Sequence, residues 1–324
     1  MSDPTSDSRE NAQPEPARLL RLSQVLGNAL QDARAAYDAR VSGRQRGPVS
    51  GLPSLDREIA QAFAPGVHGV HGNAGAGKTA FALQVAANCG APCLYVTCEM
   101  APAELLRRHA ARATGTYLNR FKSGEMPPGE VEKLYLQACE AAPDLAFLDA
   151  TRTSATAGHI IQCAQATQGA APQVLVIVDS LQSWAEGVSE GATASEYEGL
   201  NLAVKALRNV AHALKCPVLF ISERNRDSMK SGGLNAGAGS RKIEYGTETV
   251  IDLDRDLDEE ADGAGEVAIT LRLSKNRHGA AGKKIPILFH GALQRFREDL
   301  GRPSTSSANG YKGGTSKGTA RRIA

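Results

Sequence analysis

The stretch GNAGAGKT, from Gly72 to Thr79, constrains the fold of this 324-residue chain more than any other feature. It fits the pattern GxxxxGK[ST], follows the apolar run VHGV, and precedes FALQVAA, which has the composition of a helix. Glycines in such a connection let backbone N–H groups point inward at a helix start, where the helix dipole favours an anion. The stretch therefore predicts a phosphate-binding loop between a strand and a helix.

The residue types within this loop predict a nucleotide as the ligand. We expect Lys78 to bind the β- and γ-phosphates of ATP and Thr79 to ligate Mg2+. A glycine-rich turn that fits the pattern by chance is the alternative, and it would not need the flanking strand and helix. The residues expected to line the nucleotide are Gly72, Asn73, Ala74, Gly75, Ala76, Gly77, Lys78, Thr79 and Ala80.

Two carboxylates follow apolar runs that are typical of buried strands. The run VLVIVD ends at Asp179, which we expect to hold Mg2+ through water, although it could instead cap the next helix. Asp149, after LAFL, is its competitor for this role. Glu99 follows CLYVT and is placed to orient and deprotonate the attacking water, or else to provide a charge at the start of the helix near Ala101. The residues alone leave both interpretations of Glu99 open.

From residue 51 to about residue 297, short β-rich runs alternate with longer helical ones. This alternation predicts an α/β fold with a mostly parallel sheet and helices on both faces. The last three strand candidates have no long helical segment between them, so we expect them to form an antiparallel C-terminal extension. The candidates are Val67–His71, Cys93–Thr97, Leu145–Leu148, Val174–Asp179, Val218–Ser222, Thr249–Leu253, Val267–Ser274 and Ile285–His290.

The two ends of the chain differ from this central region. Residues 1–16 are rich in Ser, Asp, Glu and Pro, residues 301–324 are basic and rich in Gly and Ser, and we expect both to be disordered. Residues 17–50 are predicted to form an amphipathic helix and a tether, and residues 51–300 the main domain. The helix stripe packs on its own domain or on a neighbouring subunit, and consists of Leu22, Leu26, Leu30, Ala33 and Tyr37.

Composition limits the class of protein. With 22% charged residues and a formal net charge of +2, the chain has no overall basic field that would itself predict nucleic-acid binding. The six cysteines form no CxxC pair, so we expect reduced, buried thiols and a cytoplasmic protein. Neither a secretion signal nor a run of ~18 apolar residues occurs, so we expect no contact with a membrane.

Basic residues are concentrated in two local segments. Lys275 and Arg277 follow the run EVAITLRLS and precede a glycine-containing loop. From such a hairpin a cation can reach a γ-phosphate, commonly across a subunit boundary, although basic residues of this kind are usually surface charges. Residues 222–243 form a long, glycine-rich segment with almost no apolar residues, which we expect to be either a loop that binds nucleic acid or simply a mobile loop. Its basic residues suit a phosphate backbone, and they are Arg224, Arg226, Lys230, Arg241 and Lys242.

In their linear order, GLPSLDREI, GNAGAGKTAFALQVA, TCEM, VLVIVDSLQSW, ISERNRD, GSRKIEYGTETVIDL and SKNRHGAAGK make the chain resemble the ATPase domain of DnaB-type replicative helicases. The resemblance implies a RecA-like fold of the P-loop NTPase superfamily and a ring, expected to be a hexamer, with ATP between subunits. It implies that Glu99 is the catalytic base. It also implies that Lys275 and Arg277 act on the ATP bound by the neighbouring subunit, with Arg277 as the arginine finger. The helix from Leu19 to Tyr37 would dock on the adjacent subunit.

The chain departs from this family in two respects. The family has Ser-Gln after the fifth strand, with the Gln sensing the γ-phosphate, whereas this chain has Ser222 and Glu223. An acid there repels a triphosphate unless a cation intervenes, which puts the coupling of hydrolysis to movement in doubt. Only 50 residues precede Gly51, so we expect the family's primase-contacting N-terminal domain to be missing, as in the compact plasmid and phage helicases.

Two hypotheses for the function follow. The first is an ATP-driven helicase that encircles single-stranded DNA during replication, loaded by a loader or a replication initiator. The second is a RecA-like ATPase that uses ATP to switch assembly or partner binding without unwinding. Glu223 and the missing domain favour the second hypothesis, and the complete nucleotide motifs and the basic loop favour the first.

Overall fold

The computed structural model of the protein describes residues 19–188, 195–223, 246–256 and 260–301. The chain divides into two units, residues 1–46 and residues 47–324. In the first unit, helix α1 spans Leu22–Ser42 and ends at Gly43, which has a left-handed φ of 64°. Its apolar stripe is solvent-exposed, with Leu26 57% and Leu30 49% accessible. A helix therefore forms in the predicted region, although it begins at Leu22.

Within the described residues of the second unit, nine strands form a single sheet. Their order across the sheet is β3-β2-β4-β5-β1-β6-β7-β8-β9. The first six in this order run parallel, and β7, β8 and β9 are antiparallel to their neighbours. The strands are β1 Gly66–Gly72, β2 Cys93–Thr97, β3 Leu145–Asp149, β4 Leu175–Asp179, β5 Pro217–Glu223, β6 Thr249–Arg255, β7 Glu266–Asn276, β8 Lys284–His290 and β9 Arg295–Glu298.

Helices cover both faces of this sheet because the central strands are apolar on both sides. In β4, Leu175 and Ile177 pack into one buried cluster with α3, while Val176 and Val178 pack into another with α7, α8 and α9. Each such side chain contributes roughly 1.5–3 kcal/mol by burial. The helices are α2 Pro53–Glu58, α3 Lys78–Asn88, α4 Pro102–Thr114, α5 Arg120–Ser123, α6 Pro128–Ala141, α7 Ala157–Gln168, α8 Leu181–Val188 and α9 Glu196–Leu214.

The mostly parallel sheet with an antiparallel C-terminal extension confirms the predicted fold class. One part of the prediction was wrong, because Thr249–Leu253 lies in β6, which pairs parallel with β1 and belongs to the parallel part of the sheet. Residues 224–248 separate β5 from β6, and a connection this long allows a parallel crossover. The third antiparallel strand is instead β9, which the sequence prediction missed.

The parallel strands bring their carboxyl ends to one edge of the sheet, where ligands bind in open α/β folds. Gly72 at the end of β1 pairs with Glu223 at the end of β5, and Thr97 of β2 pairs with Asp179 of β4. This edge therefore gathers the loop and the acidic residues that the sequence singled out. Among the described residues, none of the helices combines the length and the hydrophobicity that spanning a bilayer requires.

Candidate functional site

The loop between β1 and α3 has the backbone that its glycines were expected to provide. Gly75 and Gly77 have left-handed φ values of 74° and 93°, which L side chains rarely adopt. A Cβ at Gly77 would also lie 3.1 Å from Cζ of Phe296. Arg255, at the end of β6, donates from Nη1 to the carbonyl oxygen of Gly75 at 2.9 Å. The loop is thus held between α3 and the end of the parallel sheet.

Lys78 begins α3, and its ammonium group lies within this loop. Its Nζ donates to the carbonyl oxygens of Gly72 and Asn73, both at 3.0 Å, and lies 3.7 Å from Oε1 of Glu223. Burial lowers the pKa of the Lys78 ammonium, and the negative charges of Glu223 and Asp179 oppose that shift. The cation is therefore surrounded by oxygen atoms that a phosphate can replace.

Asp179 ends β4 as a buried carboxylate beside the second residue of α3. Tyr95 donates its hydroxyl to Oδ2 of Asp179 at 2.6 Å. Burial raises the pKa of Asp179, while the nearby hydroxyls of Tyr95 and Thr79 lower it in part. Asp149 is instead exposed at the end of the edge strand β3, with Oδ1 accepting from the backbone N–H and hydroxyl of Thr151. Of the two competitors, only Asp179 lies beside the loop.

The Thr79 and Asp179 oxygens fit a magnesium ion. Both are hard oxygen donors, and the Thr79 hydroxyl lies close enough to the Asp179 carboxyl to lower its pKa. Around no point in the described ranges do three or more His, Cys, Asp or Glu side chains gather as a metal-binding group. An ion here would therefore take its remaining ligands from nucleotide phosphates and water, which is the coordination that Mg2+ favours.

Glu99 lies next to Asp179 at the same edge of the sheet. The backbone N–H of Cys98 donates to the carbonyl oxygen of Asp179 at 2.7 Å, which fixes the turn that carries Glu99. Oε1 of Glu99 accepts hydrogen bonds from the hydroxyls of Ser183, at 2.7 Å, and Ser180. A carboxylate whose orientation is fixed in this way can accept a proton from a water molecule in front of it.

Comparison with known proteins agrees with this geometry. Residues 47–298 match the family model described as the DnaB-like helicase C terminal domain, which is well over half of the chain. The chain belongs to the DnaB-like helicase C-terminal domain family. The family assignment identifies it as an ATP-hydrolysing replicative DNA helicase domain that binds nucleotide. No curated protein matches the chain.

Two solved structures share the fold of this DnaB-like chain. The first, described as an ATPase domain, is 20% identical with a TM-score of 0.69, covering 84% of this chain and 98% of that one. The second, described as a DnaB-like replicative helicase and its interactions with primase, is 19% identical with a TM-score of 0.68. It covers 86% of this chain and 67% of that one. Identities this low establish the fold alone.

Lys275 and Arg277 lie at the opposite edge of the sheet of this DnaB-like domain. Asn276, which lies between them, pairs with Thr249 at the start of β6, and Thr249 in turn pairs with His68 of β1. The nucleotide loop follows Gly72, which is four residues or about 13 Å beyond His68 along β1. Nζ of Lys275 donates to the carbonyl oxygen of Thr247 at 2.6 Å, and Arg277 pairs with Glu248 at 3.1 Å. The structure therefore does not bring these two cations to the loop of their own chain.

The five basic residues predicted to contact nucleic acid cannot be placed. Arg224, Arg226, Lys230, Arg241 and Lys242 all lie outside the described residues. Their assignment to DNA stays a prediction from their charge and from the composition of the segment.

Oε1 of Glu223, the departure from the family pattern, lies 3.7 Å from Nζ of Lys78, so we expect Glu223 to compete with phosphate for this cation. We predict that Glu223→Gln lowers the dissociation constant of ATP about threefold to tenfold, because it removes a partly exposed negative charge next to the phosphate site. Equilibrium titration with a fluorescent ATP analogue measures this change. Glu132→Gln, an exposed charge on α6, is the control. Equal ATP affinities in wild type and Glu223→Gln would contradict the competition.

The structure adds several residues to the site that the sequence analysis did not single out. Tyr95 and Ser183 hold the two carboxylates, and Gln182 donates from Nε2 to the Ser222 hydroxyl at 2.8 Å. A tyrosine in the apolar strand CLYVT is a weak signal for a buried hydroxyl that requires a partner. The contacts of Ser180 and Ser183 with Glu99 depend on the direction in which α8 follows β4, and no local sequence pattern predicts that direction.

Proposed function

We propose that this chain is the subunit of a hexameric ring that hydrolyses ATP between subunits and moves along single-stranded DNA to unwind a duplex. The observation that carries the proposal is the separation of the two predicted halves of the ATP site. Lys78, Thr79, Asp179 and Glu99 lie at one edge of the sheet, and Arg277 lies at the other. A ring in which each subunit presents one edge to the next joins these halves at every interface.

The roles within one interface follow from this geometry. Lys78 and the loop N–H groups bind the phosphates, Thr79 and Asp179 hold Mg2+, and Glu99 orients the attacking water and accepts its proton. Arg277 of the neighbouring subunit stabilises the charge that develops on the transferred phosphoryl group, and Lys275 supports it. Most of the rate acceleration then comes from positioning and charge neutralisation.

The exposed stripe of α1 is proposed to dock on the adjacent subunit of the ring. A row of leucines exposed on a helix is unfavourable in water, and burial of this row in a subunit interface would be stabilising. We predict that Leu26→Glu lowers the mass of the assembly measured by light scattering. Asn28→Glu adds the same charge to the opposite side of the helix and should leave the mass unchanged. An intact ring in Leu26→Glu would favour a helix that packs on its own domain.

Other parts of the proposal rest on the family and on charge. The residues from Arg224 to Lys242 are proposed to contact the DNA backbone, and a loader or a replication initiator is proposed to place the ring on DNA. We place the protein in the cytoplasm because a replication motor works where the chromosome or plasmid is found.

Steady-state ATPase activity with and without single-stranded DNA, at two salt concentrations, tests the proposed function. A translocating motor should hydrolyse ATP faster on DNA, and the apparent DNA affinity should fall at higher salt because phosphate contacts release counterions. Duplex unwinding by the same preparation completes the test. An ATPase rate that is the same with and without DNA at both salt concentrations would contradict the proposal of a translocating motor.

One observation favours a second function. The ion pair between Glu223 and Lys78 occupies the position where the family's Gln senses the γ-phosphate, so hydrolysis can be uncoupled from movement. A RecA-like ATPase that switches assembly or partner binding would then fit the same nucleotide site. Acquisition of DNA-stimulated hydrolysis in Glu223→Gln would identify this position as the cause.

A further inference from the structure

A cavity lies at the far end of α3, the helix that follows the nucleotide loop. It has a volume of about 440 Å3 and lies between the start of α2, the end of α3, the end of α4 and strand β9. Asn88, which lines it, ends α3 ten residues after Lys78, so the cavity is about 15 Å from the phosphate site. Its lining combines apolar side chains, including Leu52, Pro53 and Leu300, with the two arginines Arg112 and Arg295.

Arg112 is a half-buried cation whose contacts among the described residues are all with uncharged groups. Nη1 donates to Oδ1 of Asn88 at 3.3 Å, and Nη2 lies 3.2 Å from Nδ1 of His109. His109 is buried with its Nε2 2.9 Å from the carbonyl oxygen of Ala138, and burial lowers its pKa, so it provides an acceptor and no counter-charge. The Nε atom of Arg112 is buried without a hydrogen-bond partner in this part of the chain.

Arg295 adds a second positive charge to the same cavity. It is exposed on β9, and in the described ranges its side chain forms neither a hydrogen bond nor an ion pair. Burial, together with the charge of Arg295, lowers the pKa of Arg112 to about 10. Two guanidinium groups in one cavity repel each other, and a half-buried cation without a counter-charge is unfavourable.

The other charged groups of the cavity do not neutralise this pair. Arg297 is bound by both carboxylate oxygens of Glu266. Oε1 of Glu298 accepts from the backbone N–H of Ser54 at 2.5 Å, and within the described part of the chain this carboxylate forms no ion pair with Arg112 or Arg295. The cavity therefore has an excess of positive charge at these two arginines.

We propose that this cavity is a binding site for a small phosphorylated molecule, whose phosphate group lies between Arg112 and Arg295. The planar guanidinium group binds phosphate through paired N–H donors, and exposed Arg295 presents such donors at the cavity. The volume falls within the range of small-molecule sites, and the apolar wall suits the body of the ligand. A docked protein chain would need a surface considerably larger than this cavity. The site is separate from the ATP site and does not depend on the proposed function.

Calorimetric titration of the full-length protein with inorganic pyrophosphate tests this site, with ADP and Mg2+ present at saturation so that the nucleotide loop is filled. The wild-type protein should bind pyrophosphate at one additional site. Arg295→Gln and Arg112→Gln should each lower that affinity at least about tenfold, because a charge-assisted hydrogen bond is lost. Arg57→Gln, an exposed arginine on α2 outside the cavity, should bind as the wild type does.

The outcomes separate the possibilities. Absence of pyrophosphate binding to the ADP-saturated wild type overturns the proposal, as does equal binding by wild type and Arg295→Gln. The exposed Arg295 side chain forms no hydrogen bond or ion pair with described residues, so Arg295→Gln should fold normally even if Arg112→Gln does not. If both variants change the mass of the assembly and wild type binds no pyrophosphate, the arginines pair with an acidic group of another copy and the phosphate site is wrong.

Discussion

Lys78→Ala should reduce ATP hydrolysis by about 10²- to 10³-fold or more, because it removes the cation that neutralises the phosphates in the transition state. In the structure this ammonium group is held by the carbonyl oxygens of Gly72 and Asn73 and lies close to Glu223, without another cation of the loop to replace it. Phosphate release under saturating ATP measures the loss.

Lys133→Ala, at an exposed position on α6, is the matched control for this experiment. It removes the same charge away from the nucleotide loop and should leave turnover unchanged. Circular dichroism spectra of both variants should overlay with the wild type, because the Lys78 ammonium group contacts loop carbonyl oxygens and Glu223 rather than the apolar core. Wild-type turnover in Lys78→Ala would show that the phosphate site has been assigned to the wrong loop.

Arg277→Ala should lower the turnover number about 10³-fold or more and leave ATP affinity nearly unchanged, because a finger acts mainly in the transition state. The ion pair between Arg277 and Glu248 is half-exposed, so its loss should change folding stability by only ~0.5 kcal/mol. Thermal melting separates this small effect from the catalytic one.

Mixing two inactive variants tests whether Arg277 acts on the neighbouring subunit. In an equal mixture of Arg277→Ala and Glu99→Ala, about a quarter of the interfaces join an intact Glu99 to an intact Arg277, and activity should return in proportion. A mixture of Lys78→Ala and Glu99→Ala is the control. Lys78 and Glu99 lie in the same half-site, so this mixture should regain nothing. If the first mixture is no more active than its components, Arg277 does not act across the interface.

The nucleotide loop and the buried strand that ends at Asp179 could be predicted from the sequence because their signals are local. Gly75 and Gly77 are needed for the left-handed backbone of a single turn, and Lys78 and Thr79 follow them directly. The run LVIVD indicates a strand buried on both faces, and it forms an interior strand of the sheet, between β2 and β5. In each case a few consecutive residues specify the geometry without help from distant ones.

The direction of β6 and the presence of β9 could not be predicted in the same way. Parallel or antiparallel pairing of β6 depends on the path of residues 224–248, which carry little periodic pattern. Strand β9 has only four residues, RFRE, in which Phe296 alone is buried, so its composition resembles a loop. It becomes a strand because Phe296 stacks on Phe289 of β8 at a ring distance of 4.3 Å.

Spacing along the chain is enough to specify the phosphate-binding loop, the α/β class and the family. Long-range packing, in contrast, places one of the two acids beside the loop, brings Tyr95 and Ser183 to the two carboxylates, and sets Glu223 close to Lys78. It also decided that Arg277 lies at the opposite edge of the sheet. These facts depend on residues distant in sequence that the sheet brings together or separates, and on burial that no local pattern encodes.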